Sequence, residues 1–304
     1  MSITRPALIV LLLSSAACGG GSSTPTSPTP TASTPTPTPP VATPAPAPQP
    51  PANFGVFTFS FDAGTSVADQ ALIGEAVQIA NDYFTATFGR TLTTPTQIRG
   101  SLSAQGCGLN GTGGAAAFTG QGSSTYCMAN QGWNANGPIL KRKIVIHETY
   151  HLLQYERRWI GLPNAQGSGP NWIIEGSAEL IGYRALDSRG LLSFSTAQGC
   201  QVKEFTDFGV SEPPGLPNLD AVESPQAWTQ TRGPLSALAM TGMDQLVGSR
   251  LTSLNTFMDS IANGANPWPA AFQSAFGQTS TAFYAQFPSY RASLPVPASY
   301  QCRL

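Results

Sequence analysis

Apolar positions along the chain change their spacing several times, and each change predicts an element. From Val56 to Phe61 they alternate, with Phe57, Phe59 and Phe61 on one side, as in a strand. From Ser66 to Phe88 the spacing turns helical through Val67, Ala71, Val77, Ala80, Phe84 and Phe88. Ser66 is placed to cap that helix and Gly89 to stop it. Thr96 to Ser103 reads as a second strand. A Gly/Ser/Asn-rich stretch over 105–137 follows, with a strand expected at Ala115 to Thr119. Pro138 suits the first turn of a helix running through Ile144, His147, His151, Leu152 and Tyr155 and ending before Gly161. After a loop from Gly161 to Pro170, a helix is expected from Asn171 to about Leu186. A long connection from Gly199 to Gln226 follows. Four more helices are expected at Pro234–Val247, Leu251–Ala262, Pro269–Phe276 and Thr281–Arg291, punctuated by Gly248, Gly264 and Gly277.

The first residues do not fit this pattern. Arg5 and the apolar run Ala7 to Leu13 read as an export signal over 1–17, because the run is too short to span a membrane. It ends in Ser15-Ala16-Ala17-Cys18-Gly19, which resembles the lipobox of bacterial lipoproteins and implies lipidation of Cys18. Ordinary cleavage after Ala17 is the alternative. Residues 18–53 are then the lipidated cysteine and a Pro/Thr-rich tether that cannot build a core. Residues 54–304, about 250, suffice for one domain with its own core.

Charged residues make up 10% of the chain and the net charge is −1, which argues against a nucleic-acid surface. The one basic run, Lys141-Arg142-Lys143, is expected to be a solvated face. With Cys18 lipidated, four cysteines remain in an exported protein, an even number. Three pairings are open; Cys107 with Cys127 and Cys200 with Cys302 is the favoured one.

The chemistry concentrates in His147-Glu148-Thr149-Tyr150-His151, which holds both histidines of the chain. Four apart on a helix, the two rings share a face and can bind one metal ion. Downstream, Trp172-Ile173-Ile174-Glu175-Gly176-Ser177-Ala178-Glu179 gives a second helix, on which Glu175, Glu179 and Tyr183 form one stripe. Zinc chemistry then assigns His147, His151 and Glu175 as ligands and leaves a fourth position for water, whose pKa zinc lowers to about 7. Glu148 is the general base, and Glu179 is placed to accept the N–H of a ligand histidine.

HETYH followed by WIIEGSAEL resembles the gluzincin branch of zinc metallopeptidases, the peptidase-MA-like group. The resemblance covers 54 to about 292 and is specific in the two motifs. It implies an α+β, zincin-like fold of two lobes: a small N-terminal sheet with helices over about 54–158 and a mainly helical lobe over about 159–304. It implies one Zn²⁺ per chain, the ligands and base named above, and a substrate backbone added to an edge strand, here Gly114, Ala115, Ala116, Ala117 and Phe118. The family's downstream tyrosine or histidine is missing: around Gln230-Thr231-Arg232-Gly233 there is neither. Arg232 or Tyr183 is the substitute oxyanion stabiliser.

The expected function is a membrane-anchored zinc peptidase, monomeric, held by a lipid at the bacterial cell envelope and facing the periplasm or exterior. Its substrate is a peptide or protein. With no stretch to hold a free amino terminus, endopeptidase action is favoured. The competing readings are a non-catalytic cell-surface module binding peptides or glycans on the same fold, and a spacer lipoprotein with a fortuitous motif.

Overall fold

Ser66 and Gly89 bracket the first long helix as their chemistry predicts. The Ser66 hydroxyl accepts the Asp69 N–H at 3.0 Å, and Gly89 adopts the left-handed φ of 62° that ends the helix. The structure, a computed structural model, describes residues 47–103, 117–160, 169–212, 214–262 and 267–298. All lie in one compact unit, Ala47–Leu304. The export signal, Cys18 and most of the tether fall outside the described residues. Among the described residues, no helix is long and apolar enough to cross a membrane.

Strand β1 (Phe57–Phe61) pairs in parallel with β2 (Thr96–Ser101), and helix α1 (Val67–Phe88) is the crossover between them. Strands β3 (Ala117–Gly120) and β4 (Ser123–Cys127) form an antiparallel hairpin, with Gly122 at φ 71° in its turn. The order β1-β2-β4-β3 puts β3 at the sheet edge. The strand expected at 115–119 therefore exists from Ala117 onward; Gly114, Ala115 and Ala116 lie outside the described residues. Strand β4 is absent from the hydropathy pattern. Ser123, Ser124 and Thr125 are polar, yet Ser124, Thr125 and Tyr126 are buried because the strand is central in the sheet and covered by a helix.

That helix is α3 (Pro138–Glu156), which follows the single-turn α2 (Gln131–Asn134) and packs on α1, β3 and β4. Helix α4 (Asn171–Ser188) packs on α1, α3, α5 (Phe194–Ser211) and, across α6 (Pro225–Gln230) in sequence, α7 (Leu235–Val247). Trp172, Ile173, Ala178, Leu180, Ile181 and Ala185 are buried on several faces of α4, the pattern of a central helix. Gly176 permits the closest approach: a Cβ there would lie 2.6 Å from the Ala239 carbonyl oxygen of α7. Gly176→Ala is expected to cost about 1–3 kcal/mol through overpacking, despite alanine's better helix propensity. Denaturant titration measures it, and an unchanged midpoint would mean α7 moves aside freely.

The C-terminal helices α8 (Thr252–Ala262), α9 (Trp268–Phe276) and α10 (Ser280–Ser293) agree with the predicted pattern to within two residues at each end. They carry an aromatic chain into the core: Phe257, Phe272 and Phe283 meet in turn, and Phe283 stacks on Trp172 at 5.6 Å. One contiguous core runs from Phe57 of the sheet to Phe287 of α10.

Two expectations are corrected. The segment from Gly199 is not an irregular connection: it continues α5 to Ser211, and a 3-10 turn (Leu219–Val222) and α6 follow. Gly199, Gly209 and several Thr and Ser residues mask the helical propensity. The helix forms because Ser193 caps it and Ala197, Val202 and Phe205 are buried, with α5 docked against α7. The basic run is not a solvated face either. Lys141, Arg142 and Lys143 pair with Asp69, Glu75 and Glu179. The favoured cysteine pairing cannot be followed, because Cys107 and Cys302 lie outside the described residues; Cys127 and Cys200 are buried and neither is a free thiol.

Candidate metal centre

Helices α3 and α4 pack face to face, and each presents chemistry at a four-residue interval. His147 and His151 come from α3, Glu175 and Glu179 from α4. The Nε2 atoms of the two histidines are 2.9 Å apart. Glu175 Oε2 lies 3.5 Å from His147 Nε2 and 3.6 Å from His151 Nε2. His147, His151 and Glu175 thus form a group that can hold a metal ion, with one donor atom from each on a common centre.

A hydrogen bond behind His151 and a carboxylate near His147 bear on which ring nitrogen faces the centre. His151 Nδ1 lies 2.6 Å from Gln154 Oε1. Gln154 is oriented by its own amide, which donates to the Ile174 carbonyl and the Ser177 hydroxyl at 3.3 and 3.1 Å. Its oxygen can only accept, so His151 carries its proton on Nδ1 and turns the Nε2 lone pair toward His147. His147 Nδ1 is buried, makes no hydrogen bond, and faces Glu179 Oε1 at 3.5 Å. A proton on that nitrogen meets a carboxylate, and the Nε2 lone pair again points inward. Two ring nitrogens and a carboxylate oxygen so close together can hold a cation between them, and the imidazole/carboxylate set suits zinc or a similar divalent ion.

The groups at this centre are also coupled electrostatically, and both histidines interact with the Glu175 carboxylate beside them. Burial pushes the Glu175 carboxyl up, but its contacts with His147 and His151 hold it well below the usual carboxylate range. Burial pushes the His151 imidazole down, and the Glu175 carboxylate more than offsets this, raising it to about 9. Burial likewise raises Glu179, while the Lys143 ammonium and His147 bring it below its ordinary value.

Glu148 shares a cleft of about 290 Å³ with His147, His151 and Glu175. Thr119 of β3 donates to Glu148 Oε2 at 2.6 Å, and Ser124 Oγ lies 2.9 Å behind it. Tyr155, one turn past His151, also lines this cleft. The proposed oxyanion stabilisers do not. Tyr183 is buried, its hydroxyl accepts from Gln201 Nε2 at 3.1 Å, and it lines a separate cleft of about 890 Å³ with Lys143 and Glu179. Arg232 is exposed and lies 3.6 Å from Glu212. A side chain that solvated has no packing to hold it over the cleft.

Three residues at the centre escape a reading of the motifs. Gln154 and Tyr155 were within reach, since positions three and four beyond His151 lie on its face of the helix. Thr119 was not, because only the packing of β3 on α3 brings it to Glu148. Gln154→Leu is expected to weaken divalent-metal binding about 10- to 100-fold by freeing the His151 ring. Competition with a chromophoric chelator reads this, and unaltered affinity would show that His151 is oriented without Gln154.

No family model matches the chain, and no curated protein matches it.

Proposed function

We propose that this chain is a zinc-dependent peptidase of the gluzincin type, with a zincin-like two-lobe fold. The observation that carries the reading is the convergence of His147, His151 and Glu175 on one point beside the Glu148 carboxylate. An edge hairpin over the His-bearing helix, a Glu-bearing helix packed against it and a helical tail support the fold assignment. The same reading places the chain at a bacterial cell envelope, exported as a monomer and anchored by a lipid on Cys18.

Bound zinc would polarise the scissile carbonyl and lower the pKa of water at the site. His147, His151 and Glu175 would hold the ion. Glu148 takes the proton from the attacking water and returns it to the leaving amine nitrogen. Thr119 keeps that carboxylate turned into the cleft. Strand β3 offers its outer backbone edge to an extended peptide. Tyr155 replaces Arg232 and Tyr183 as the group to stabilise the developing oxyanion.

The second reading is a non-catalytic surface module that binds peptides or glycans. The short Thr119 bond favours it, since it occupies one of the two Glu148 oxygens. Digestion of a broad peptide library by the full-length chain separates the two. The peptidase reading expects internal cleavages, detected by mass spectrometry, that vanish with a zinc chelator and return with added zinc. No cleavage by folded, zinc-loaded protein would leave the binding module.

A further inference from the structure

We propose that Lys143 is a positioning residue of the metal centre, acting on His147 through Glu179. The assignment rests on the metal reading above and names a residue that reading leaves out. Lys143 stands one turn before His147 on α3, and Glu179 one turn after Glu175 on α4. The two helices therefore present two rungs: His147 against Glu175, and Lys143 against Glu179. The Lys143 ammonium donates to both Glu179 oxygens at 2.9 Å each. Glu179 Oε1 in turn faces the unsatisfied Nδ1 of His147 at 3.5 Å.

Glu179 is buried and Lys143 half-buried, which is a costly place for charge unless geometry holds the two together. Here the geometry is built on purpose around the lysine. Its stem lies against Gly182, where a Cβ would come within 3.2 Å of Lys143 Cγ and 3.3 Å of its Cδ. Its ammonium sits 5.5 Å from the centre of the Tyr183 ring. A buried carboxylate with a free torsion could turn either oxygen away from His147. Gripped at both oxygens by one ammonium, Glu179 keeps its plane fixed and Oε1 toward the ring. The His147 proton then stays on Nδ1 and the Nε2 lone pair stays on the metal side. Lys143 touches neither metal nor substrate in this scheme.

The test is a double-mutant cycle on the full-length chain, with Lys143→Met, Glu179→Gln and the two combined, plus Lys143→Arg. The readouts are the Zn²⁺ dissociation constant by chelator competition and the visible spectrum of the Co²⁺-loaded protein, which reports ligand geometry without turnover. Lys143→Met is expected to weaken Zn²⁺ about 10- to 100-fold and to alter the Co²⁺ spectrum, with Lys143→Arg recovering most of the loss. In the Glu179→Gln background, Lys143→Met is expected to add less than about threefold, because its route to His147 is already cut. If Lys143→Met alone does not fold, comparing the combined variant with Glu179→Gln decides. Equal affinities and spectra, both weaker than wild type, support the assignment. A combined variant about tenfold or more weaker than Glu179→Gln overturns it. A folded Lys143→Met protein with native Zn²⁺ affinity and Co²⁺ spectrum also overturns it while leaving the metal reading intact. Wild-type protein that takes up no Zn²⁺ overturns both.

Discussion

Glu148→Gln is expected to leave zinc binding and the fold intact while lowering kcat by about 10²- to 10⁴-fold. That is roughly 3–5 kcal/mol of barrier. The amide is isosteric with the carboxylate and still accepts the Thr119 hydroxyl through its oxygen, so the cleft wall is preserved. What it loses is the capacity to take a proton. Because that capacity matters in the transition state and not in substrate binding, KM is expected to change little. Steady-state kinetics on any cleaved library peptide, beside a zinc assay of the same sample, measure both halves. Full activity in a zinc-loaded Glu148→Gln protein would remove Glu148 from the base role.

Trp172→Ala is expected to produce the largest stability loss, about 3–5 kcal/mol. In a chain of this size that corresponds to roughly 10 °C in Tm. Trp172 is fully buried, stacks on Phe283, and donates its indole N–H to the Tyr284 hydroxyl at 3.0 Å. That hydroxyl donates to Glu223 Oε1 at 2.6 Å. The substitution therefore opens a cavity and breaks a chain that ties α4 to α10. It also loosens the first turn of α4, where Glu175 stands three residues on, so metal affinity should fall with stability. Thermal unfolding with and without added zinc reads both effects. A loss under about 1 kcal/mol would show that the aromatic chain through Phe272 and Phe283 repacks around the gap.

How much of this was legible depended on whether the signal was local. The two histidines, Glu175 and Glu179 were readable because helical spacing alone puts each pair on a face. The helices α1, α3, α4 and α7 to α10 were readable from apolar spacing and from caps such as Ser66 and Gly89. Strand β4 was not, since Ser124 and Thr125 are buried by the sheet around them and, with Ser123, carry no hydrophobic pattern of their own. Helix α5 was hidden by its glycines, and its docking on α7 is a tertiary fact. The same division explains the site. Gln154 reaches its partner within one helix, whereas Thr119 meets Glu148 only through folding, twenty-nine residues away in the chain. Arg232 is marked only by its position relative to a motif, and position along a chain does not place an exposed side chain in a cleft. The basic run at 141–143 read as solvated because its three acidic partners are distant in sequence.

The most direct measurement is the zinc content of the purified full-length chain by inductively coupled plasma mass spectrometry, alongside His151→Ala and Glu175→Ala. The account predicts close to one zinc per wild-type chain after dialysis and a small fraction of that in either variant, with circular dichroism showing all three folded. Wild-type protein that binds no zinc, or variants that retain as much as wild type, would contradict it.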